Sequence, residues 1–222
     1  MTEPTGNLAT ERSTPSPFVD WITLTRPRIA SFVALASYVG GWLATGGEVG
    51  AARLAEASLY VTLTAAAASI FNAVLERDTD GLMERTKTRT LPTGRIGVAP
   101  ATTVGALAAV LGTAGLAVRF EPLAALLALA TIVAYALVYT PLKRVTTFNT
   151  VVGALPGAMP PLLGHVALAG DGGVWGWSLF AVLFVWQFPH FFAIAWLYRE
   201  DYARADLKML ASTPGSAGLA GR

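Results

Sequence analysis

The sequence contains no cysteine and only two histidines among its 222 residues, and only 14% of the residues are charged. Without cysteine there is no disulfide, no thiolate metal ligand and no cysteine nucleophile. Two histidines argue against a zinc site built on several imidazoles. A soluble domain carries about 25% charged residues, so a chain this poor in charge cannot cover itself with polar surface in water. A formal net charge of +2 gives no reason to expect a nucleic-acid partner.

The apolar residues make up 54% of the chain and come in long blocks rather than in alternation. Blocks of about 18 or more apolar residues are typical of transmembrane helices. The sequence therefore predicts an all-α fold, a polytopic transmembrane helical bundle that lies in a lipid bilayer. The six predicted spans are 29–44, 55–75, 99–118, 122–139, 150–169 and 174–197.

The basic residues divide unevenly between the two sides that six spans create. Of the 16 basic residues, only Arg53 and Arg119 fall on the side opposite the N-terminus. By the positive-inside rule, this bias places the N-terminus in the cytoplasm, and we expect a multi-pass protein of a bacterial or archaeal cell membrane. Acidic residues contribute little to topology, yet seven of them gather on the cytoplasmic side and need another explanation. They are Glu76, Asp78, Asp80, Glu84, Glu200, Asp201 and Asp206.

The two ends of the chain differ in composition from the part between them. Residues 1–17 are rich in Thr, Pro and Ser and have no apolar core, so they do not resemble a signal peptide. We expect a disordered cytoplasmic tail at 1–20, a membrane domain at 21–210 and a loop or tail at 211–222.

The connection after the second span places three carboxylates within five residues. If the helix continues, Asn72, Glu76 and Asp80 lie at helical spacing and form one stripe, with Asp78 on the opposite side. Gly81 is a plausible end for this helix. Repulsion between the carboxylates falls if a divalent cation binds between them, and Mg²⁺ commonly uses carboxylates together with substrate phosphate.

Cations follow these carboxylates along the chain. Arg85 and Arg89 lie one helical turn apart, and guanidinium groups donate to phosphate oxygens in a bidentate fork. The connection therefore predicts a metal-bound diphosphate, although a solvated, charged loop that obeys the positive-inside rule remains an alternative. Segment 198–208 repeats the mixture on the same side. It either clamps one ligand together with the first segment or is simply a charged helix end. Lys143, one turn after Tyr139, either contacts phosphate or extends to the membrane interface.

Four stretches of the sequence resemble a known family. They are NAVLERDTDGLMERTKTRTL at 72–91, YTPLKRVTTFNTVVG at 139–153, PGAMPPLLG at 156–164 and WQFPHFFAIAW at 186–196. The family is the UbiA-type intramembrane prenyltransferases, and the second and fourth stretches resemble its heme O synthase (protoheme IX farnesyltransferase) branch. The resemblance runs from about Trp21 to Leu210.

The resemblance implies a fold and an activity. It implies a bundle of about nine helices around a cavity open toward the membrane, of which this sequence has six, so we expect a C-terminally incomplete domain. It also implies transfer of a farnesyl group from farnesyl diphosphate to a vinyl group of heme b, with Mg²⁺ as cofactor and heme O and diphosphate as products. Heme A synthase or an oxidase assembly protein is the expected partner.

The resemblance also implies roles for individual residues. Glu76 stands where the family often has aspartate, and Asp206 lies five residues after Asp201 rather than at helical spacing. The implied catalytic residues are Asp78, Asp80, Lys143 and Asp201. The implied diphosphate-binding residues are Asn72, Arg85, Arg89 and Lys143, and the implied Mg²⁺ ligands are Glu76, Asp78, Asp80, Asp201 and Asp206.

Histidine and proline inside the apolar spans require their own interpretation. An ionisable residue within a membrane span is a functional candidate by default, and His190 either contacts heme iron or bonds carbonyls freed by Pro189. His165 is a weaker candidate for heme contact. The prolines at 156, 160 and 161 predict a broken membrane helix that lines a cavity.

Two other functions remain compatible with these patterns. One is prenylation of a quinone precursor by another UbiA-type enzyme. The other is a non-catalytic membrane transporter or oxidase assembly protein, in which the charged connections serve topology alone.

Overall fold

The structure is a computed structural model that describes residues 16–209 of the chain, and every regular element in this part is helical. The helices are α1 (Pro17–Leu24), α2 (Pro27–Ala44), α3 (Ala51–Leu75), α4 (Arg77–Leu82), α5 (Val98–Arg119), α6 (Pro122–Val133), α7 (Thr140–Val145), α8 (Asn149–Ala169), α9 (Gly173–Leu197) and α10 (Arg199–Arg204). A π-helical turn, Ala134–Tyr139, joins α6 to α7 without a break.

The sequence places its helix boundaries with familiar signals. Pro27 and Pro122 begin α2 and α6, where a missing N–H costs nothing because the first turn has no intrahelical acceptor. Gly170 has a φ of 82° and ends α8, a conformation that glycine adopts without steric cost.

The expected tail at 1–20 lies mostly outside the described residues, as does the expected loop at 211–222. Residues 17–20 are an exception, because they belong to α1, whose first turn is capped by a hydrogen bond from the Val19 amide to the Ser16 hydroxyl.

Five stretches of the described chain are long and apolar enough to cross a membrane. They are α3, the continuous stretch Pro122–Val145, and α5, α8 and α9. An all-helical membrane bundle is thus confirmed. The first predicted span corresponds to α2, which has 18 residues and begins with Pro-Arg, and its crossing of the membrane stays a prediction.

Helix α8 lies at the centre of the bundle and packs against α2, α6 and α9. It is one continuous helix, so the prediction that its prolines break it is wrong. Proline is tolerated in membrane helices where the backbone around it is packed against neighbouring helices, and α2 packs closely against α8. A Cβ added at Gly40 would lie 2.0 Å from the carbonyl oxygen of Pro161, and one added at Gly164 would lie 1.9 Å from that of Ser37.

Helix α9 is the least enclosed of the long helices. Only Gly176 and Ala195 are buried among its 25 residues. It contacts α8 and α2 on one side, while large apolar side chains such as Val182 and Trp186 are exposed on the other.

Two small apolar clusters hold the charged connections against the bundle. In the first, Met83 packs with Ala195 of α9 and with Tyr202 and Leu207 of the chain beyond it. In the second, Leu24, Ile70, Ala73, Leu91, Ile96 and Ala101 bring α1 and the connection before α5 onto the end of α3. We call this part of the molecule the charged end: the start of α2 together with residues 72–96, 139–149 and 198–208.

Candidate functional site

The predicted stripe of polar residues at the end of α3 is present. The Glu76 amide donates to the Asn72 carbonyl at 2.9 Å, and the Asp80 amide donates to the Glu76 carbonyl at 2.7 Å, so helical spacing continues into α4. Asn72, Glu76 and Asp80 are buried, whereas the Asp78 side chain is 81% exposed on the other side. Helix α4 ends at Leu82 rather than at Gly81.

Lys143 points back to this stripe from α7. Its Nζ lies 2.6 Å from Oε1 of Glu76 and 4.3 Å from the centre of the Tyr139 ring, and its side chain is only 13% exposed. Lys143 is therefore part of an internal ion pair rather than extended to the membrane interface. Burial alone would raise the pKa of Glu76, but Lys143 and then Arg26 outweigh it and hold that pKa below its usual value.

Asp80 has its own cation. Nη1 of Arg89 donates to Oδ2 of Asp80 at 2.8 Å, and the Thr86 hydroxyl donates to the Asp80 carbonyl at 2.8 Å. Burial and the positive charge of Arg26 lower the pKa of Arg89 despite this contact. A carboxylate that is 1% exposed is therefore neutralised by a guanidinium that is partly desolvated itself.

Asp201 connects the second acidic segment to the first. Its Oδ1 accepts from the Glu84 amide at 3.0 Å, and its Oδ2 accepts from the Arg85 amide at 3.2 Å. The guanidinium of Arg85 lies over the Tyr198 ring at 4.6 Å. Arg204, one turn after Asp201, approaches both Asp201 and Glu84 at 3.4 Å. The two segments that the sequence predicted to clamp one ligand therefore meet.

The segment beyond α10 reaches the start of α8. The Lys208 amide donates to the Lys143 carbonyl at 2.7 Å, and Nδ2 of Asn149 donates to the Lys208 carbonyl at 2.8 Å. The connections after α3, α7 and α10 are thus joined to one another in a closed circuit of hydrogen bonds and ion pairs.

Two residues at this site were missed by sequence reasoning. Nη2 of Arg26 donates to Oδ1 of Asn72 at 2.9 Å, and Nδ2 of Asn72 donates to Oγ1 of Thr140 at 2.8 Å. Arg26 precedes the first span and was counted only as a topological charge. Thr140 lies beside Tyr139 and Lys143, but a single threonine in an apolar span carries no sequence signal of its own.

Some predicted site residues are not brought to this network. Asp78 pairs with its neighbour Arg77 at 2.9 Å, and Asp206 is exposed after α10 with a φ of 50°. Their assignment as Mg²⁺ ligands stays a prediction without support from side-chain contacts. His190 is exposed on α9, where its ring stacks on Trp186 at 4.7 Å. His165 is buried, with Nδ1 2.9 Å from the Asp171 carbonyl oxygen.

The donor atoms at the charged end are oxygen atoms of carboxylates and amides, which are the ligands that Mg²⁺ prefers. In residues 16–209 the acidic and histidine side chains do not converge in a group of three that could hold a metal ion. Glu76 and Asp80 are each paired with a cation, and Asp201 with two backbone amides. The donor set fits Mg²⁺ in its chemistry.

Comparisons with known proteins agree with this arrangement. Residues 33–220 match the model of the UbiA prenyltransferase family. The chain is 40% identical over 210 residues to the protoheme IX farnesyltransferase of Anaeromyxobacter dehalogenans, covering 93% of this chain and 71% of that protein. It is 42% identical over 202 residues to the protoheme IX farnesyltransferase of Shewanella amazonensis, covering 90% and 68%.

A solved structure shares the fold. It is a UbiA homologue from Archaeoglobus fulgidus bound to DMAPP and Mg²⁺, with a TM-score of 0.69 and 20% sequence identity over 90% of this chain and 70% of that one.

Proposed function

Because the chain belongs to the UbiA prenyltransferase family, we propose that it transfers the farnesyl group of farnesyl diphosphate to a vinyl group of heme b, which forms heme O. Relatives that are about 40% identical over most of the chain carry the name protoheme IX farnesyltransferase and support this acceptor. The WQFPHFFAIAW and YTPLKRVTTFNTVVG stretches favour it over a quinone precursor.

The observation that carries this proposal is the closed circuit at the charged end. Glu76 is joined to Lys143, the Lys143 carbonyl to Lys208, and Asp201 to the amides of Glu84 and Arg85. A solvated loop that served topology alone would not need the buried carboxylates of Glu76 and Asp80 each paired with a half-buried cation, because burying charge is costly. These ion pairs are accounted for if the cations bind a highly negative ligand when it enters the site, and the carboxylates then bind its metal ion.

The proposed reaction begins with ionisation. The bond between C1 of the farnesyl chain and the diphosphate oxygen breaks, and its electron pair leaves with diphosphate. The π electrons of a heme vinyl group then form a carbon–carbon bond to C1. Water adds to the resulting cation and loses a proton, which gives the hydroxyl group of heme O.

The residues of this chain act on the leaving group. We propose that Arg85, Arg89 and Lys143 hold the diphosphate and stabilise the negative charge that grows on it, the electrostatic contribution that is usually largest in catalysis. Glu76, Asp80 and Asp201 would hold Mg²⁺, as the bound Mg²⁺ of the A. fulgidus homologue supports. When bound, Mg²⁺ supplies positive charge toward the same diphosphate oxygens.

We also propose an orientation and a setting for the protein. We propose that the charged end and the N-terminus face the cytoplasm, and the excess of basic residues at the charged end supports this orientation. At the opposite end of the bundle, Glu56 forms ion pairs with Arg53 and with Arg119. We assign this opposite end to the outer side of the membrane. His190 remains a proposed heme contact, and heme A synthase or an oxidase assembly protein a proposed partner.

The proposal is tested by product analysis. Membranes that contain this chain are incubated with farnesyl diphosphate, Mg²⁺ and either heme b or 4-hydroxybenzoate, and products are identified by mass spectrometry. We expect heme b to gain one farnesyl group and one hydroxyl group, and this product to be lost in Asp80→Ala at unchanged protein level. Product from 4-hydroxybenzoate alone would reject heme b as acceptor, and product from neither would favour a non-catalytic role.

A further inference from the structure

The side-chain amide of Asn72 is held at both ends by residues from distant parts of the chain. Arg26, 46 residues earlier, donates to Oδ1 at 2.9 Å, and Thr140, 68 residues later, accepts from Nδ2 at 2.8 Å. Asn72 is fully buried and Thr140 is buried beside it. The start of α2, the end of α3 and the start of α7 therefore meet at one amide group.

The chemistry of these partners allows a single orientation of that amide. Arg26 has only N–H donors, so the amide oxygen of Asn72 must face it. The Thr140 hydroxyl donates its hydrogen to the Tyr135 carbonyl at 2.9 Å, so it accepts from the N–H₂ group of Asn72. A flipped amide would lose both contacts and place donor against donor at Arg26.

Both partners depend on irregular backbone. Arg26 has φ 54° and ψ 65°, in the left-handed region that residues with a Cβ seldom adopt. Thr140 follows the π-helical turn directly, and its hydroxyl bonds a carbonyl five residues earlier within that turn. Strained backbone and π-helical turns are both concentrated at functional sites.

Arg26 also adds charge to the stripe. Burial alone would lower its pKa, but Tyr135, and then Glu76 and Asp80, raise that pKa above its usual value. The cation therefore interacts with both carboxylates of the stripe while its hydrogen bond goes to the neutral amide between the helices.

We infer that Arg26 and Thr140 are positioning residues for the diphosphate site, which act by fixing the side-chain amide of Asn72. This inference rests on the proposed function. With the amide fixed by Arg26 and Thr140, one lone pair remains on Oδ1, and the other N–H of Nδ2 is directed to the Glu76 carboxylate. The two hydrogen bonds of Asn72 also connect α2 and α7 to the stripe. They therefore help to fix the distance between Lys143 of α7 and Glu76 of the stripe.

The test distinguishes the effect of the Thr140 hydroxyl group from the effect of the size and shape of the side chain. Thr140→Val removes the hydroxyl at nearly constant volume, and Thr140→Ser restores it. Thr131→Val is the matched control, because the Thr131 hydroxyl bonds only its own helix, at the Leu127 carbonyl. The measurements are Mg²⁺-dependent binding of farnesyl thiodiphosphate, an analogue that ionises slowly, and the melting temperature of the solubilised protein.

We expect Thr140→Val to weaken analogue binding roughly tenfold, the effect of one well-placed hydrogen bond, while Thr140→Ser and Thr131→Val stay within about twofold of the unaltered chain. In an Asn72→Ala background, Thr140→Val should have no further effect on binding. Arg26→Lys should weaken binding and Arg28→Lys should not, because Arg28 is exposed two residues away.

Three outcomes would overturn the inference. Equal binding by Thr140→Val and the unaltered chain would show that the hydroxyl does not position the site. Equal loss of melting temperature and of binding in Thr140→Val and Thr131→Val would show a role in stability alone. If the unaltered chain bound no analogue while its melting temperature was normal, the proposed function itself would fail and this inference with it.

Discussion

Asp201 and Arg85 are joined across 116 residues of sequence, because the Arg85 amide donates to Oδ2 of Asp201 at 3.2 Å. The neighbouring Glu84 amide donates to Oδ1 of the same carboxylate at 3.0 Å. Hydrogen bonds to an ionised acceptor are the strong ones. The second acidic segment therefore holds the backbone of the first in place, a role that a search for metal ligands alone would not assign to Asp201.

Replacing Asp201 by asparagine tests this role. The change keeps the shape of the side chain but sets an N–H₂ donor against one of two backbone N–H groups. We expect a loss of about 1.5–3 kcal/mol of stability, the contribution of a hydrogen bond to a charged group, together with loss of most prenyl transfer. Thermal melting of the solubilised protein and heme O formation measure the two effects.

The matched control for Asp201→Asn is Glu200→Gln, the adjacent acidic residue, whose side chain is 81% exposed. It should change neither quantity. If Asp201→Asn melted like the control, the contact with the two amides would contribute nothing measurable to the fold.

The contribution of the Lys143–Glu76 ion pair to stability can be separated from its contribution to substrate binding. Lys143→Met leaves Glu76 buried without its cation, and breaking a buried pair in this way costs about 3–5 kcal/mol. We expect Glu76→Gln together with Lys143→Met to recover much of that stability, since no charge is then left unpaired. Denaturant or thermal unfolding of the single and double variants gives the coupling energy.

Activity should not follow stability in this series. If Lys143 holds diphosphate as proposed, the double variant will be stable but will bind farnesyl diphosphate poorly. Recovery of both stability and substrate affinity in the double variant would assign Lys143 to the fold alone.

The lowered pKa of Glu76 predicts how stability depends on pH. An acid whose folded pKa lies below its unfolded value, about 4.3 for glutamate, stabilises the folded protein above that value. This contribution is lost as the pH falls through the folded pKa, because protonation breaks the contact with Lys143. We expect a constant contribution at neutral pH and a steep loss of melting temperature below about pH 4.3 that is smaller in Glu76→Gln. An equal acid loss in both proteins would contradict this assignment.

The positions of the long helices could be predicted from sequence because each depends on a local pattern. The predicted spans 150–169 and 174–197 differ by one residue from α8 and α9 at their starts. The stripe of Asn72, Glu76 and Asp80 was predictable for the same reason, since helical spacing is a local property.

What could not be predicted depends on contacts between distant residues. Arg26 and Asn72 are 46 residues apart, and nothing in the neighbourhood of either residue signals the other. The close approach of α2 and α8 was missed for the same reason, because it depends on Gly40 of α2, which lets the Pro161 carbonyl of α8 lie against it. The proline pattern of α8 alone indicates a break.

The close approach of α2 and α8 predicts a strong effect of a small substitution. Gly164→Ala would place a methyl group 1.9 Å from the Ser37 carbonyl oxygen, where backbone must move. We expect a loss of about 1–3 kcal/mol, typical of overpacking, seen as a lower melting temperature. Gly81→Ala is the control, because Gly81 also lies within a helix and nothing lies within 4 Å of its added Cβ. Equal melting temperatures of the two variants would mean that α2 and α8 can move apart without a measurable loss of stability.

Asp78 and Asp80 offer a comparison of two identical side chains two residues apart. Asp80 is 1% exposed and paired with Arg89, whereas Asp78 is at the surface and paired with Arg77. We expect Asp80→Asn to reduce heme O formation roughly 100-fold or more, the loss that removal of one preorganised electrostatic group produces, and Asp78→Asn to reduce it much less. Initial rates at saturating Mg²⁺, normalised to protein in the membrane, give both values. A larger loss for Asp78→Asn would return Asp78 to the metal site that its sequence position predicts, and would require α4 to rotate when the ligand binds.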